Sequence, residues 1–307
     1  MAQDARPAAV IASSAPTRGV LALLGAFGIW GGLPLYLREL SSVPASQIVV
    51  YRLVFCCAFV LAWLGLRGAV GQVRNALAVP STRRRLLLSA MLISTNWLVY
   101  VWAVGNGRVV ESSLGYFINP LVNVALGVLF LRERLRALQV CAVALASLGV
   151  AYLTWQAHAV PWIALTLALS FGGYGLLRKT IAVEAMAGLG AETLLLVPFG
   201  VAYMVWCELA GSGVLRHADG RVVALLVLSG PVTAVPLWLF AYGARQVAYS
   251  TVGLLQYLGP SLQLALGVLV FAEPFPRVRA AGFALIWAAL ALYAAEGLWR
   301  ARALARR

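Results

Sequence analysis

Residues 116–133 read YFINPLVNVALGVLFLRE, and residues 256–273 read QYLGPSLQLALGVLVFAE. Seven of the eighteen aligned positions are identical: Pro120/Pro260, Ala125/Ala265, Leu126/Leu266, Gly127/Gly267, Val128/Val268, Leu129/Leu269 and Glu133/Glu273. In each copy the proline stands inside an apolar stretch long enough to cross a membrane. Proline lacks an N–H and clashes with the carbonyl four residues earlier, so the helix is expected to be interrupted in both copies. Matching interrupted segments in the two halves of a chain point to a transporter's binding site.

The bulk composition fits a chain that lives in lipid. Hydrophobic residues make up 62% of it, charged residues only 11%, and the mean hydropathy is +0.88. A hydrocarbon core of roughly 30 Å needs about 20 apolar residues per helix. Ten such windows fit, at about 19–37, 46–66, 86–106, 111–131, 137–156, 160–177, 187–207, 222–243, 249–271 and 279–297. The expectation is an all-α polytopic membrane protein of ten transmembrane helices.

The net charge of +14 resembles a nucleic-acid signal until its distribution is read. With the N-terminus placed in the cytoplasm, seventeen of the twenty-four cations fall on the cytoplasmic side, in groups such as Arg83, Arg84 and Arg85 or Arg132, Arg134 and Arg136. Six fall in outer loops, and Arg52 lies within a span. This bias predicts both termini in the cytoplasm, with the lipid bilayer as partner and no nucleic acid. Residues 1–17, rich in Ala, Ser and Pro, read as a mobile cytoplasmic tail. The first apolar stretch has span length and no A-x-A exit, so no cleavable signal peptide is expected. Cys56, Cys57, Cys141 and Cys207 fall inside spans at spacings that match no zinc or redox motif. No metal and no cofactor are expected.

Five helices per half is an odd number, so the second half must enter the membrane from the opposite side. The domain reading is therefore residues 18–156 and 157–299 as inverted five-helix repeats, followed by a basic cytoplasmic tail at 300–307. A looser echo joins AFGIWGG (residues 26–32) to SFGGYGL (residues 170–176). Inverted halves provide alternating access when they exchange conformations.

Within the repeated segment Tyr116, Asn119 and Asn123 share one helix face, and the repeat sets Gln256 opposite Tyr116 and Gln263 opposite Asn123. These amides either line a polar cavity or bridge helices, at about 1 kcal/mol or less per bond. Pro120 and Pro260 are the expected hinges. Asn96, Trp97 and Tyr100 of the third span, Trp238 of the eighth and Tyr257 of the ninth complete the candidate substrate site.

Arg52 and Glu192 are the two ionisable residues that sit clearly inside spans, away from the window ends, and such charges are functional candidates. Each lies roughly 9 Å deep at about 1.5 Å per residue, from opposite faces, leaving them about 12 Å apart in depth across a core of roughly 30 Å. Separate roles are expected: Arg52 holding an anionic group and Glu192 carrying a proton, or both snorkelling to the interface. Glu111 opens the fourth span, where it either stabilises the helix N-terminus or gates.

NWLVYVWAVGNGRVVESSLGYFINPLVNVALGVLFLRERL (residues 96–135), GGYGLLRKTIAVEAMAGLGAETLLLVP (residues 172–198) and RGVLALLGAFGIWGGLPLYL (residues 18–37) closely resemble the RarD-type proteins of the EamA family, in the drug/metabolite transporter superfamily. The resemblance covers residues 18 to 297. It implies two EamA repeats of five helices, cytoplasmic termini and permease activity in the bacterial inner membrane. The chloramphenicol label carried by proteins of this type points to a drug-like or metabolite substrate. Small multidrug members of the superfamily place a carboxylate midway along their first helix. This chain has none there, so neutral or zwitterionic substrates suit its amide- and aromatic-rich centre better than a cation exchanged for protons.

The function expected is thus a secondary permease for a small organic molecule. No GxxxxGK[ST] nucleotide site occurs, so the proton gradient is the expected energy source. His158 and His217 lie in outer loops and no catalytic constellation gathers at one depth, so an enzyme is not expected. The alternative is a membrane sensor or assembly partner without flux. Nothing in the sequence specifies an oligomeric state.

Overall fold

The computed structural model describes residues 14–105, 109–156, 162–270 and 277–305. They form helices α1 (Ser14–Glu39), α2 (Ala45–Leu66), α3 (Val70–Ala78), α4 (Pro80–Gly105), α5 (Val109–Leu131), α6 (Ala137–Gln156), α7 (Trp162–Thr180), α8 (Ala185–Leu209), α9 (Gly220–Ala244), α10 (Tyr249–Gln256), α11 (Leu258–Leu269) and α12 (Arg277–Ala305), with one 3₁₀ turn at Val214–Arg216. No strand occurs among the described residues. Every expected window has its helix, the ninth being shared by α10 and α11. The short α3 is additional; it lies in the connection between α2 and α4 and buries Val73 and Ala76, with Val73 against Gly190 of α8.

Apolar side chains cover the outside of the bundle as well as filling most of its core. Leu129, Phe199 and Leu269 are among the most exposed side chains, whereas Asn96, Asn119, Asn123 and Gln256 are buried. An apolar outside and a polar centre are what a bilayer solvent selects. Five helices are long and apolar enough to span by composition alone: α1, α2, α6, α8 and α9; α5 and α12 contain shorter apolar stretches, Gly115–Leu131 and Ala280–Glu296. The remaining spans carry polar residues or a break, and they are shielded by protein: α4 packs on α7 and α8, and α10 packs on α5.

The helix pairs repeat under exchange of the first five spans for the second five. α1 packs on α9 and on α10–α11, and correspondingly α7 packs on α4 and α5; α5 crosses α10, and α6 lies along α12. Two crossings need glycine. A methyl group on Gly253 of α10 would overlap the carbonyl oxygen of Pro120 of α5, and one on Gly149 of α6 would sit 2.8 Å from the carbonyl oxygen of Gly282 of α12. Elsewhere side chains close the helix ends: Glu184 accepts from the N–H groups of Met186 and Ala187 at the start of α8, and Asp219 accepts from Val222 N–H at the start of α9.

The two proline copies behave differently. α5 runs unbroken through Pro120, whereas the ninth span breaks at Tyr257, and Pro260 sits in the first turn of α11, where its missing N–H is tolerated. The break expected in both copies therefore occurs in one. α5 is clamped on two sides, by Ala164 of α7 against Gly115 and by Gly253 against Pro120, and this packing holds it helical.

The sequence windows also missed buried charges. Arg178, assigned by its position to a cytoplasmic connection, is fully buried at the end of α7 and pairs with Glu192 of α8 at 3.5 Å. Its Nη2 donates to the carbonyl of Ala185 at 2.7 Å. Glu296 of α12 is likewise buried and pairs with Arg136 at 3.7 Å.

Two outcomes test this packing. Gly253→Ala should destabilise the detergent-purified protein by about 1–3 kcal/mol, as overpacking does, while Gly28→Ala, where nothing lies within 4 Å, should be neutral or mildly stabilising in a thermal melt. Removing one partner of the Arg178–Glu192 pair, by Arg178→Met or Glu192→Ala, should cost about 3–5 kcal/mol, and joint replacement by Met should recover most of it. Equal melting temperatures for the single and joint variants would deny the pair its role.

Candidate transport cavity

The polar centre of the bundle encloses a cavity of about 150 Å³. Its walls come from both halves: Trp30 and Pro34 of α1, Arg52 of α2, Asn96, Trp97 and Tyr100 of α4, and Tyr116 and Asn119 of α5, facing Phe171 of α7, Thr233 of α9, and Gln256, Gly259, Pro260 and Gln263 around the α10–α11 break. On α1, α2, α4 and α5 these residues lie in the half of the helix toward the end of the bundle where α1 finishes and α2 starts, while Phe171 of α7 and Thr233 of α9 stand at mid-helix. The cavity thus runs from the middle of the bundle toward that end.

Of the residues proposed from the sequence, Asn96, Trp97, Tyr100, Tyr116, Asn119, Gln256, Gln263, Pro260 and Arg52 meet at this cavity. Their hydrogen bonds show how they are held. Asn96 donates to the carbonyl of Leu167 at 2.9 Å and to Ser170 Oγ at 3.1 Å. Gln263 donates to the carbonyl of Trp30 at 3.0 Å. Tyr100 and Tyr116 meet edge to face, with ring centroids 6.0 Å apart. Asn119 is buried and its Oδ1 has no hydrogen-bond partner among the described residues.

Others lie off the cavity. Asn123 is fully buried behind the wall and donates to Gln256 Oε1 at 2.6 Å, joining the two repeated segments to each other. Pro120 is buried at the crossing with Gly253. Tyr257 occupies the turn between α10 and α11; its ring belongs to a separate apolar cluster with Leu254 and Ile286, and its hydroxyl donates to the carbonyl of Phe117 at 3.2 Å. Trp238 packs on the main core without reaching the cavity. Glu192 is paired with Arg178, so it stands neither alone nor on the cavity wall. The side chain of Glu111 lies outside the described residues.

Beyond the cavity, toward the N-terminus of α1, the bundle is closed. Aromatic rings make a floor: Trp30 lies 5.7 Å from Phe171 and 5.8 Å from Phe240, and Tyr174 stacks on Phe240 at 6.3 Å. Tyr249 seals its edge by donating to the carbonyl of Gly172 at 2.6 Å. Below the rings, Arg132 adopts a left-handed backbone (φ 55°) that turns the chain sharply after α5. The turn sets the Glu133 carboxylate on the first N–H groups of α10, Tyr249 and, at 2.9 Å, Ser250. Lys179 closes the neighbouring gap by donating to the carbonyls of Ala244, at 2.8 Å, and Val247.

Sequence reasoning passed over this floor, although a signal for it existed. In the echo between residues 26–32 and 170–176, Phe27 aligns with Phe171 and Trp30 with Tyr174. Each pair of neighbours makes the same contact, with centroids 5.9 Å apart for Phe27–Trp30 and for Phe171–Tyr174.

The geometry can now be set beside known proteins. Residues 17–155 match the family model of the EamA-like transporter family. The chain is 44% identical to an uncharacterized transporter of Pseudomonas aeruginosa, over 92% of this chain and 95% of that one. It is 38% identical to protein RarD of Escherichia coli, over 93% and 96% of the two chains. It is 31% identical to the chloramphenicol-sensitive protein RarD of Pseudomonas aeruginosa, over 94% and 98%. A solved crystal structure of a protein 21% identical in sequence superposes with a TM-score of 0.68 over 94% of this chain and 99% of its own, which establishes a shared fold. The cavity-bearing helical bundle described above belongs to the EamA-like transporter family, and within it to the RarD-type proteins.

Proposed function

We propose that this protein is a secondary permease that moves a small organic molecule across the bacterial inner membrane by alternating access. The observation that carries the reading is the cavity. It lies between the two halves, is lined by both copies of the repeated segment, and is closed on one side by aromatic rings and by the Glu133 contact with α10. An enzyme would need reactive groups converging at one point. Here amides, phenols and indoles converge instead, groups that hold a molecule without changing it.

The charge bias supports an orientation with both termini in the cytoplasm. The cavity then faces the outer side, and the Glu133 and Lys179 contacts close the cytoplasmic side. Exchange of conformation between the halves carries the cavity to the opposite face, and the proton gradient drives the cycle. Asn119, Gln256 and Gln263 orient the substrate, Tyr100, Tyr116 and Trp97 pack around it, and Pro260 at the α10–α11 break serves as hinge. The name of the Pseudomonas RarD relative makes chloramphenicol one compound to include among candidate substrates.

Uptake into proteoliposomes of a panel of metabolites and drugs, with and without a pH gradient, tests this directly. At least one compound should move, faster with the gradient. Asn119→Ala and Gln263→Ala should each slow it by about tenfold, the loss of one good hydrogen bond. Transport of no compound under either condition, or both variants moving cargo at the wild-type rate, would remove the reading.

A further inference from the structure

We infer that the cavity is an anion site: its ligand is a small organic monocarboxylate with a planar apolar body, and Arg52 binds the carboxylate. This deepens the permease reading, since it names the substrate class of the same cavity.

Two buried arginines make the contrast. Arg178 has its carboxylate, Glu192, at 3.5 Å. Arg52, on the cavity wall, has no carboxylate within ion-pair distance among the described residues. Its Nε donates to Thr233 Oγ1 at 3.0 Å, and its guanidinium carbon lies 5.6 Å from the centre of the Trp97 ring. Thr233 fixes the plane of the group and Trp97 supports one face. The two terminal nitrogens donate no hydrogen bond to a described residue. A guanidinium keeps its proton in proteins, so it cannot escape the cost of burial by becoming neutral, as a lysine can.

The other walls do not compensate the charge. Asn96, Asn119, Gln256 and Gln263 are neutral amides, and Tyr100 and Tyr116 are phenols. An unpaired charge inside a membrane protein is costly unless a partner or water meets it. The missing partner is an anion that enters with the ligand. The terminal nitrogens of Arg52 form the planar fork that matches a carboxylate.

Size and wall chemistry define the rest of the ligand. A cavity of about 150 Å³ is comparable to engineered cavities that hold benzene. Trp30, Trp97, Tyr100, Tyr116 and Phe171 give it aromatic walls. A compact planar acid satisfies both demands at once.

Three probes of one shape and different charge separate the alternatives: benzoate, benzamide and benzylamine. Binding to the full-length protein in detergent, followed by tryptophan fluorescence and by thermal shift, needs no transport. Benzoate should bind saturably and about tenfold or more tighter than benzamide or benzylamine, the difference one charge-assisted contact makes. Arg52→Gln should erase that preference while leaving benzamide binding unchanged. Arg52→Lys keeps the charge and loses the fork, so it should retain part of the preference and covers the case in which Arg52→Gln does not fold. No benzoate binding, equal binding of benzamide, or an undiminished preference in either variant overturns the anion site. If benzoate binding passes these tests and no compound moves in proteoliposomes, the anion site stands and the permease reading falls. If cargo moves without a benzoate preference, the reverse holds.

Discussion

The crossing of α5 with α10 is the contact on which the rest of the bundle turns. Gly253 brings its backbone against the carbonyl of Pro120, and one turn away Asn123 donates to Gln256 at 2.6 Å. At this crossing the two halves touch through backbone and through one buried amide pair. Close backbone approach is how helices associate in lipid, where burying apolar surface gives no drive because the surroundings are already apolar. Once α5 and α10 are fixed against each other, α11 must diverge after Tyr257. The cavity opens where it does so, lined by Gln256, Gly259, Pro260 and Gln263 on one side and by Tyr116 and Asn119 on the other.

The same lipid constraint sorts the charges. An ion inside the bundle must have a partner, and the structure distributes partners unequally. Arg178 finds Glu192 and the carbonyl of Ala185; Glu296 finds Arg136; Glu133 finds the N–H groups that open α10; and Lys179 finds two carbonyls at the end of α9. All of these stitch the structure together. Arg52 has a hydroxyl and an indole face, which orient a charge without cancelling it. The distinction between a structural and a functional charge thus follows from what each one touches, and hydropathy cannot draw it.

That explains what the sequence could and could not disclose. The all-helical membrane class, the positions of the spans and the polar centre follow from hydrophobic length and from the repeated segment, because those are local properties. Gln256 and Gln263 were legible because the repeat sets them opposite Tyr116 and Asn123, and Asn119 because it shares the helix face of Tyr116. Arg178 was not, since windows judge a residue by its neighbours in sequence, and its neighbour Lys179 gives the stretch the look of a loop. Tyr257 stands at the break of the ninth span, and its ring joins the apolar cluster of Leu254 and Ile286 instead of the cavity lining. Asn123 was grouped by helical face with Tyr116, yet a second helix lies between it and the cavity; only the packing of α10 on α5 determines that. Pro120 and Pro260 look alike in sequence, and it is the clamp of α7 and α10 on α5 that makes them differ.

The two halves also differ in charge at matching places. α2 starts at Ala45 and α8 at Ala185, so Arg52 and Glu192 occupy the same register in their respective repeats. Arg52 on the cavity wall has no carboxylate partner among the described residues, whereas Glu192 is paired with Arg178. Under the proposed exchange of conformations, the cavity at one face presents a free cation and its counterpart at the other face presents a closed ion pair. An anion then binds more tightly in the state that displays Arg52. Differential affinity shifts populations between the states, but it cannot by itself produce net movement against a gradient. It gives the two faces different half-saturating concentrations and leaves the direction to the coupled ion. The unequal charges at residues 52 and 192 would therefore make such a permease kinetically one-sided, although the architecture around them is nearly symmetric.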